Sequence, residues 1–383
     1  MQPANRLLLG GFLTLAVVMG VGRFLYTPLL PLMQRNYGFG PDLAGVIAAA
    51  NFAGYLAGSL LASFVPAGPR RHRALQIGLI ASVTTTIGMG LTDDLPAWLV
   101  LRAVSGIASA FAMISAADII AEALARIGAE AKLGWVFGGV GTGIALSGLL
   151  VHAATPMLGA SGLWIAAGLA CLPLVPVIVA EVRDRELPPR RQRQDPRRRV
   201  PRPLPFWPLL VNYTCEGLGY SVFATFIVAI VKSRPGLADM GDWVWIIVGL
   251  AGLPSCLFWS LIAERIGFAA ALAFAYATQI VGVMLPVLSN SAPAALLAAL
   301  LFGGTFMAIT VLTMPLGRHG LGGRGFAILT AGFGLGQMLG PLFAGFLVAG
   351  EADYNFALTA SAAVLGLGLA ALIFAIRLRP SPV

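Results

Sequence analysis

Charge is scarce in this chain of 383 residues: Asp, Glu, Lys and Arg together make up 11%, against roughly 25% in a soluble domain. With 58% hydrophobic residues and a mean hydropathy of +0.86, too few polar side chains remain to cover a water-facing surface. A soluble globular protein is excluded. Cysteine and histidine are rarer still, three of each. Cys171, Cys215 and Cys256 all fall inside apolar segments and read as small core residues. His72, His152 and His319 are scattered, and no Cys or His pair has metal-ligand spacing. No metal and no cofactor is expected. H-E-x-x-H, G-x-S-x-G, a Walker phosphate loop and paired intramembrane aspartates are all missing, which removes the common hydrolases and an ATP-driven pump. The run GVGTG (139–143) is no nucleotide loop, because no strand precedes it.

What is present is apolar sequence in lengths that match a bilayer, whose core needs about 20 residues per helix. Twelve such spans are expected, near 7–33, 43–65, 74–92, 97–124, 133–153, 161–180, 206–231, 243–263, 268–288, 294–316, 326–349 and 355–376. The first runs through Pro31 without a small-residue cleavage site, so it reads as a retained helix rather than a signal peptide. The fold class is therefore an all-α polytopic membrane protein of twelve transmembrane helices in two six-helix pseudo-symmetric bundles.

The basic residues orient it. With the N-terminus inside, cytoplasmic segments hold 20 of the 25 Lys and Arg residues, and the opposite loops hold three: Arg35, Lys232 and Arg234. That bias places both termini in the cytoplasm by the positive-inside rule. Nine of the arginines crowd into 183–202. This concentration and the flanking of apolar spans account for the net charge of +9 without nucleic acid. The chain divides into an N-terminal bundle (1–180), an Arg/Pro-rich cytoplasmic linker (181–205) with no apolar periodicity, and a C-terminal bundle (206–383).

The two halves echo one another. GVGTGIALSGLL (139–150) aligns without gaps to GFGLGQMLGPLF (332–343), an offset of 193, and MGVGRFLY (19–26) to EGLGYSVF (216–223), an offset of 197. Nearly equal offsets imply a duplicated six-helix unit, as in transporters that bind substrate between two such halves.

Ionisable side chains deep inside spans are few: Arg23, Arg102 and Glu216. A charge near a bilayer centre costs at least about 2.5–3.5 kcal/mol, so such residues face protein or a water-filled cavity. Glu216 lies about 15 Å into its helix, near the midplane, and desolvation favours a proton on a carboxylate there; it is the candidate proton carrier, with a permanent arginine partner as the plainer alternative. Arg102, about 9 Å in, serves either coupling or the backbone carbonyls around it. Arg23 has three fates: snorkelling outward, pairing with Glu216, or binding an anionic group with its forked guanidinium beside Tyr26 and Thr27. Asn51, Tyr55, Tyr220, Gln279 and Gln337 complete a candidate polar lining, each of which would serve equally as interhelical glue. Asp118, Glu122 and Arg126 are four apart and form an interfacial ladder within reach of the basic 70–73 loop.

Several of these stretches resemble the major facilitator superfamily. SLIAERIG (260–267) is similar to its G-x-L-A-D-R-x-G loop motif, with Glu264 at the acidic, Arg265 at the basic and Gly267 at the turn position. The first-half copy, LLASFVPAGPRRHR (60–73), departs from it by placing Ser63 near the expected acid. RAVSGIASA (102–110) resembles the R-x-x-q-G motif through Arg102 and Gly106, and GQMLGPLFAG (336–345) the G-P motif of antiporters through Gly340 and Pro341. Helix 5, where antiporters carry that motif, has GIALSG without proline. More narrowly, GVGRFLYTPLLPLM (20–33), AAANFAGYLAGSLLAS (48–63), EGLGYSVFATF (216–226) and GFGLGQMLGPLFAG (332–345) resemble the YbfB/YjiJ-type branch.

The resemblance implies a secondary active transporter that moves a small organic solute across the inner membrane by alternating access. Proton coupling through Glu216 and an anionic substrate at Arg23 are the leading expectations. A drug or metabolite efflux antiporter, and a non-transporting receptor or assembly protein on a transporter fold, are the competing readings. Expected partners are the solute, protons and membrane lipids, with the chain working as a monomer and no nucleic acid. The topology is testable directly: reporter fusions after Arg198 and at Val383 are expected to behave as cytoplasmic, and a signal from the opposite side at either position overturns it.

Overall fold

A computed structural model describes residues 3–129, 132–183, 202–317, 322–350 and 353–378. The arginine-rich stretch 184–201, together with Arg318 and His319, lies outside the described residues. Every regular element among the described residues is helical. The first span is α1 (Pro3–Leu15), a π-helical turn (Ala16–Val21) and α2 (Tyr26–Tyr37). It is followed by α3 (Pro41–Ala62), α4 (Pro69–Met89), α5 (Leu95–Arg126), α6 (Leu133–Cys171) and α7 (Leu174–Glu181). The second half comprises α8 (Phe206–Lys232), α9 (Met240–Ile266), α10 (Phe268–Leu288), α11 (Ala292–Gly303), α12 (Phe306–Leu316), α13 (Gly322–Ala349) and α14 (Tyr354–Arg377).

Among the described residues, ten helical stretches are long and apolar enough to cross a membrane, and two features raise the count to twelve. The run Leu133–Glu181 is 49 residues long, far beyond a single crossing, and breaks at Gly159, whose φ of 61° and ψ of −174° are non-helical. Val136, near its start, and Val182, just past its end, crowd the adjacent Gly11 and Gly10 of α1. The run therefore crosses twice. The other crossing is α4, whose first turn, PRRHR, is too polar to count by composition alone. The twelve spans expected from the sequence are thus recovered, with α4 starting earlier than the hydropathy indicates. The tenth span is also interrupted, at Gly304 and Thr305 between α11 and α12.

The duplicated segments pack on each other in equivalent ways. A Cβ on Gly20 would run into the backbone of Gly143, which fastens the first span to α6. In the second half, a Cβ on Gly336 would run into Thr214 and Gly217, which fastens α13 to α8. These four glycines form two of the pairs that the alignments superimpose, Gly20 with Gly217 and Gly143 with Gly336. Close backbone approach through small residues is the usual way that helices associate in lipid, where apolar burial supplies no drive.

Between the halves, α3 packs on α13 and α6 on α9. Gly45 lies under the carbonyl of Pro341, and Gly148 against Ile246. Thr27 Oγ1 donates to the carbonyl of Ala224 at 2.6 Å. At the end away from the termini, Lys232 Nζ reaches Asp242 Oδ1 at 2.6 Å. His152, from the first half, reaches Asp242 Oδ2 at 3.5 Å, an ionic contact only when its ring is protonated. At the opposite end Arg71 lies 3.6 Å from both Asp118 and Glu122, and Arg126 closes on Glu122 at 2.8 Å, which forms the ladder and its link to the basic loop.

The glycine contacts carry an expectation. Gly143→Val and Gly336→Val should each cost about 1–3 kcal/mol through overpacking, seen as a lowered Tm of the detergent-purified protein. Gly366→Ala, where an added methyl meets open space, should leave Tm unchanged or slightly raised.

Candidate functional site

The site begins with a break in the first span. After the π-helical turn, Gly22 N–H donates to Val17 at 2.8 Å and Phe24 N–H to Met19 at 3.1 Å, five residues back in each case. Thr27 N–H then donates to Phe24 at 3.3 Å rather than to Arg23, and Pro28 has no N–H to give. The carbonyl of Arg23 is left without its helical donor, in a region where an unsatisfied backbone group is costly. Arg102 on α5 supplies the remedy. Its Nη2 donates to Arg23 O at 3.2 Å and its Nη1 to Gly22 O at 3.3 Å, and Ser105 Oγ adds a donation to Gly22 O at 3.1 Å. Tyr26 lays its ring 5.0 Å from the Arg102 guanidinium and ties its hydroxyl to Ala44 O at 3.0 Å. Asn51 donates to the Arg102 carbonyl at 3.0 Å. The break thus combines the π turn at 16–21 with the missing N–H of Pro28.

The break turns Arg23 inward. Its side chain is 3% exposed, so snorkelling to the surface does not occur. Its guanidinium carbon stands 4.2 Å from the Tyr55 ring centre, 4.6 Å from Phe52 and 5.5 Å from Phe24, a set of cation–π contacts. No salt bridge to it is formed among the described residues, and its Nε and Nη2 have no hydrogen-bond partner. A small cavity of ≈ 10 Å³, about room for one water, is lined by Arg23, Thr27, Phe52 and Arg102 of the first half and by Ala224 and Thr225 of the second.

Glu216 does not pair with Arg23. It is fully buried, its Oε1 accepts from Gln279 Nε2 of α10 at 2.8 Å, and its Oε2 has no partner. The repeat places Glu216 at the position of Met19, a turn before Arg23, and its carboxyl turns toward α10 within its own half. Tyr220, the residue equivalent to Arg23, accepts a hydrogen bond from Gln337 Nε2 of α13 and lies within electrostatic reach of both Arg23 and Glu216. Its ring is near-parallel to Phe333 at 5.6 Å and to Phe306 at 6.1 Å. Phe302 and Phe306 stack at 5.3 Å, and Phe24 meets Phe306 edge-on at 6.1 Å.

The expected lining therefore forms two groups. Arg23, Tyr26, Thr27, Asn51, Tyr55 and Arg102 gather around the break, whereas Glu216, Tyr220, Gln279 and Gln337 gather in the second half. Tyr26 and Thr27 spend their hydroxyls on backbone, Asn51 spends its amide nitrogen there and leaves its Oδ1 open, and Tyr55 directs its hydroxyl to Met113 Sδ at 3.6 Å. Gly106 admits the backbone of Asn51 and Gly54, and Gly340 admits that of Leu218. Glu264 and Arg265 are exposed, and Gly267, at φ 94°, makes the turn from α9 to α10. The aromatic wall of Phe302, Phe306 and Phe333 went unforeseen. The i, i+4 spacing of Phe302 and Phe306 was its sequence signal, indistinguishable in advance from lipid-facing residues.

Residues 15–374 match the family described as "Uncharacterised MFS-type transporter YbfB". "Uncharacterized MFS-type transporter YceJ" of Bacillus subtilis (strain 168) is 28% identical over 100 residues, 26% of this chain and 26% of that protein. The match thus spans about a quarter of that relative's length. Among solved structures, a point mutant of the nucleoside transporter NupG superposes with a TM-score of 0.74 at 13% identity, covering 97% of this chain and 99% of that one. A bacterial homologue of the human lysosomal transporter Spinster, in an inward-facing and occupied conformation, superposes at 0.69 and 13% identity over 100% of both chains. At such identities the likeness shows the fold alone.

The clamp at the break is testable apart from any solute. Arg102→Lys keeps the charge, but one ammonium does not span two carbonyls as a fork does. Leaving a buried acceptor open should cost about 1–3 kcal/mol, read as a lowered Tm of the purified protein.

Proposed function

The chain belongs to the YbfB-like family of MFS-type transporters, and from that premise we propose that it is a proton-coupled secondary transporter of a small organic solute in the cell inner membrane. The two bundles, 1–180 and 206–383, rock about the cavity at Arg23 and expose it alternately to each side, with 181–205 as a cytoplasmic linker between them. Both termini lie in the cytoplasm, and the monomer is the working unit. The loop motif residues Glu264, Arg265 and Gly267, the Asp118 ladder, and the packing positions Gly106, Gly340 and Pro341 act as conformational hardware.

The observation that carries proton coupling is Glu216: a fully buried carboxyl with one oxygen held by Gln279 and the other open. It has no cation in ion-pair contact among the described residues. A charge at such depth is costly, so a proton that joins and leaves the open oxygen ties the charge state of α8 to whichever side the cavity faces. Arg102 contributes indirectly, by holding the break that presents Arg23.

The test uses a solute identified by its upward shift of Tm in a metabolite screen, since ligands that bind only the folded state raise apparent stability. In proteoliposomes with an imposed pH gradient, Glu216→Gln is expected to abolish uphill accumulation while one-for-one exchange continues. Full uphill transport by that variant, with unchanged pH dependence, reduces Glu216 to a structural residue.

A further inference from the structure

Among the described residues, Arg23 is the least explained buried charge. Arg102 spends its two Nη groups on two carbonyls and leaves only its Nε open, while Arg71 meets two acids and Lys232 meets Asp242. Arg23, equally buried, contacts aromatic rings and leaves two nitrogens open. The identity of those nitrogens matters. Nε–H and the adjacent Nη2–H point the same way from one edge of the guanidinium plane, and together they make the side-on fork that a carboxylate accepts with both oxygens. Tyr55 and Phe52 hold the guanidinium carbon 4.2 and 4.6 Å from their ring centres, and the partnerless Nε–Nη2 edge is what remains for a ligand.

To the cavity beside Arg23 the second half contributes Ala224 and Thr225 of α8, one turn beyond Tyr220, and no cation among the described residues. It offers Tyr220, which the repeat places where Arg23 stands in the first half, backed by Phe333 and Phe306 in near-parallel array. Phe24, beside Arg23, meets Phe306 edge-on and so joins the two sides. A cation edge on one wall and stacked rings on the other define a ligand with one planar anionic head and a flat, unsaturated body. A second carboxylate would find no second fork, because both Nη groups of Arg102 are held by carbonyls and only its Nε is open.

We propose that the site between Arg23 and Tyr220 binds aromatic monocarboxylates, the head forked on Arg23 Nε and Nη2 and the ring laid against Tyr220 and its neighbours. The inference deepens the transport reading and rests on its placing the solute at this cavity. The present cavity accommodates little more than a water, so the ring enters as the two halves separate.

The experiment is equilibrium binding, by thermal shift and titration calorimetry, to the detergent-purified full chain. The probes are benzoate, cinnamate and 1-naphthoate, set against cyclohexanecarboxylate (charge without a flat ring), benzyl alcohol (ring without charge), phthalate (two charges) and sodium chloride. The aromatic monocarboxylates should bind about ten-fold or more tighter than each comparison compound, and Arg23→Lys should weaken them by about ten-fold or more because the bidentate contact is lost. Tyr220→Leu, which keeps the cation, should erase the preference for benzoate over cyclohexanecarboxylate while preserving that for carboxylate over alcohol. The inference is overturned if benzyl alcohol matches benzoate, if chloride alone reproduces the shift, if none of the three aromatic acids binds at millimolar concentration, or if Arg23→Lys binds them as the parent does. Transport is read separately. Benzoate binding without flux in proteoliposomes upholds the site and removes the transporter reading, whereas flux of a neutral solute with no benzoate binding does the reverse.

Discussion

A bilayer tolerates a broken helix only where something else satisfies the freed backbone groups, and in this protein that something is Arg102. The π-helical turn and the missing N–H of Pro28 strip a carbonyl of its donor at Arg23, and Arg102 with Ser105 replaces it. Everything at the cavity follows from that repair. An unbroken first span would keep the i→i−4 ladder running and hold Arg23 at a different angle from Tyr55 and Phe52. The tenth span obeys the same rule: where it breaks, Trp259 Nε1 of α9 donates to Gly304 O at 2.8 Å. Each of these two interruptions in a membrane-spanning helix thus has a side-chain donor from a neighbouring helix assigned to it.

The duplication supplies a frame and the departures from it supply the chemistry. Thr27 and Ala224 are equivalent positions under the repeat, and they touch, so the pseudo-two-fold axis passes between them. Gly20 with Gly143, and Gly217 with Gly336, set the same close packing on either side of that axis. Within this symmetric frame Tyr220 takes the place of Arg23, and Glu216 that of Met19. One half has the cation and the other has the acid and the ring wall. A symmetric protein would have had two like charges confronting each other across the cavity.

Much of this was legible in the sequence because it rests on scarcity and repetition. Twelve apolar runs, a duplicated glycine pattern and three deep charges are properties that survive without coordinates, since bilayer thickness and the cost of buried charge act on composition itself. The family followed from motifs such as GVGRFLYTPLLPLM. What composition does not encode is rotation about the helix axis. Whether Phe302, Phe306 and Phe333 face lipid or cavity depends on a few tens of degrees, and Phe258 and Phe274, equally apolar, do face outward. The same ambiguity left three fates for Arg23, of which its burial sets aside snorkelling and the turn of Glu216 toward Gln279 sets aside pairing. No sequence rule locates that turn within AVVMGV, a run of ordinary helix-compatible residues.

The separation of Arg23 from Glu216 is the last consequence. Had the two formed an ion pair, each would have neutralised the other, and the anion and proton sites proposed above would both be closed. Held apart, with Tyr220 in electrostatic reach of both, they remain two separate charged groups joined by one residue. Gln337 on α13 bonds Tyr220 and Gln279 on α10 bonds Glu216, so the linking residue and the acid are each anchored to a different helix of the second half. A change in the angle of α8 that moves one of these contacts moves the other, because Glu216 and Tyr220 lie one turn apart on the same helix. Linkage between a solute at Arg23 and a proton at Glu216 then needs no direct contact between them. It needs only that α8 be rigid over that turn, and its unbroken hydrogen-bonded run from Phe206 to Lys232 meets that condition where the first span, its partner under the repeat, does not.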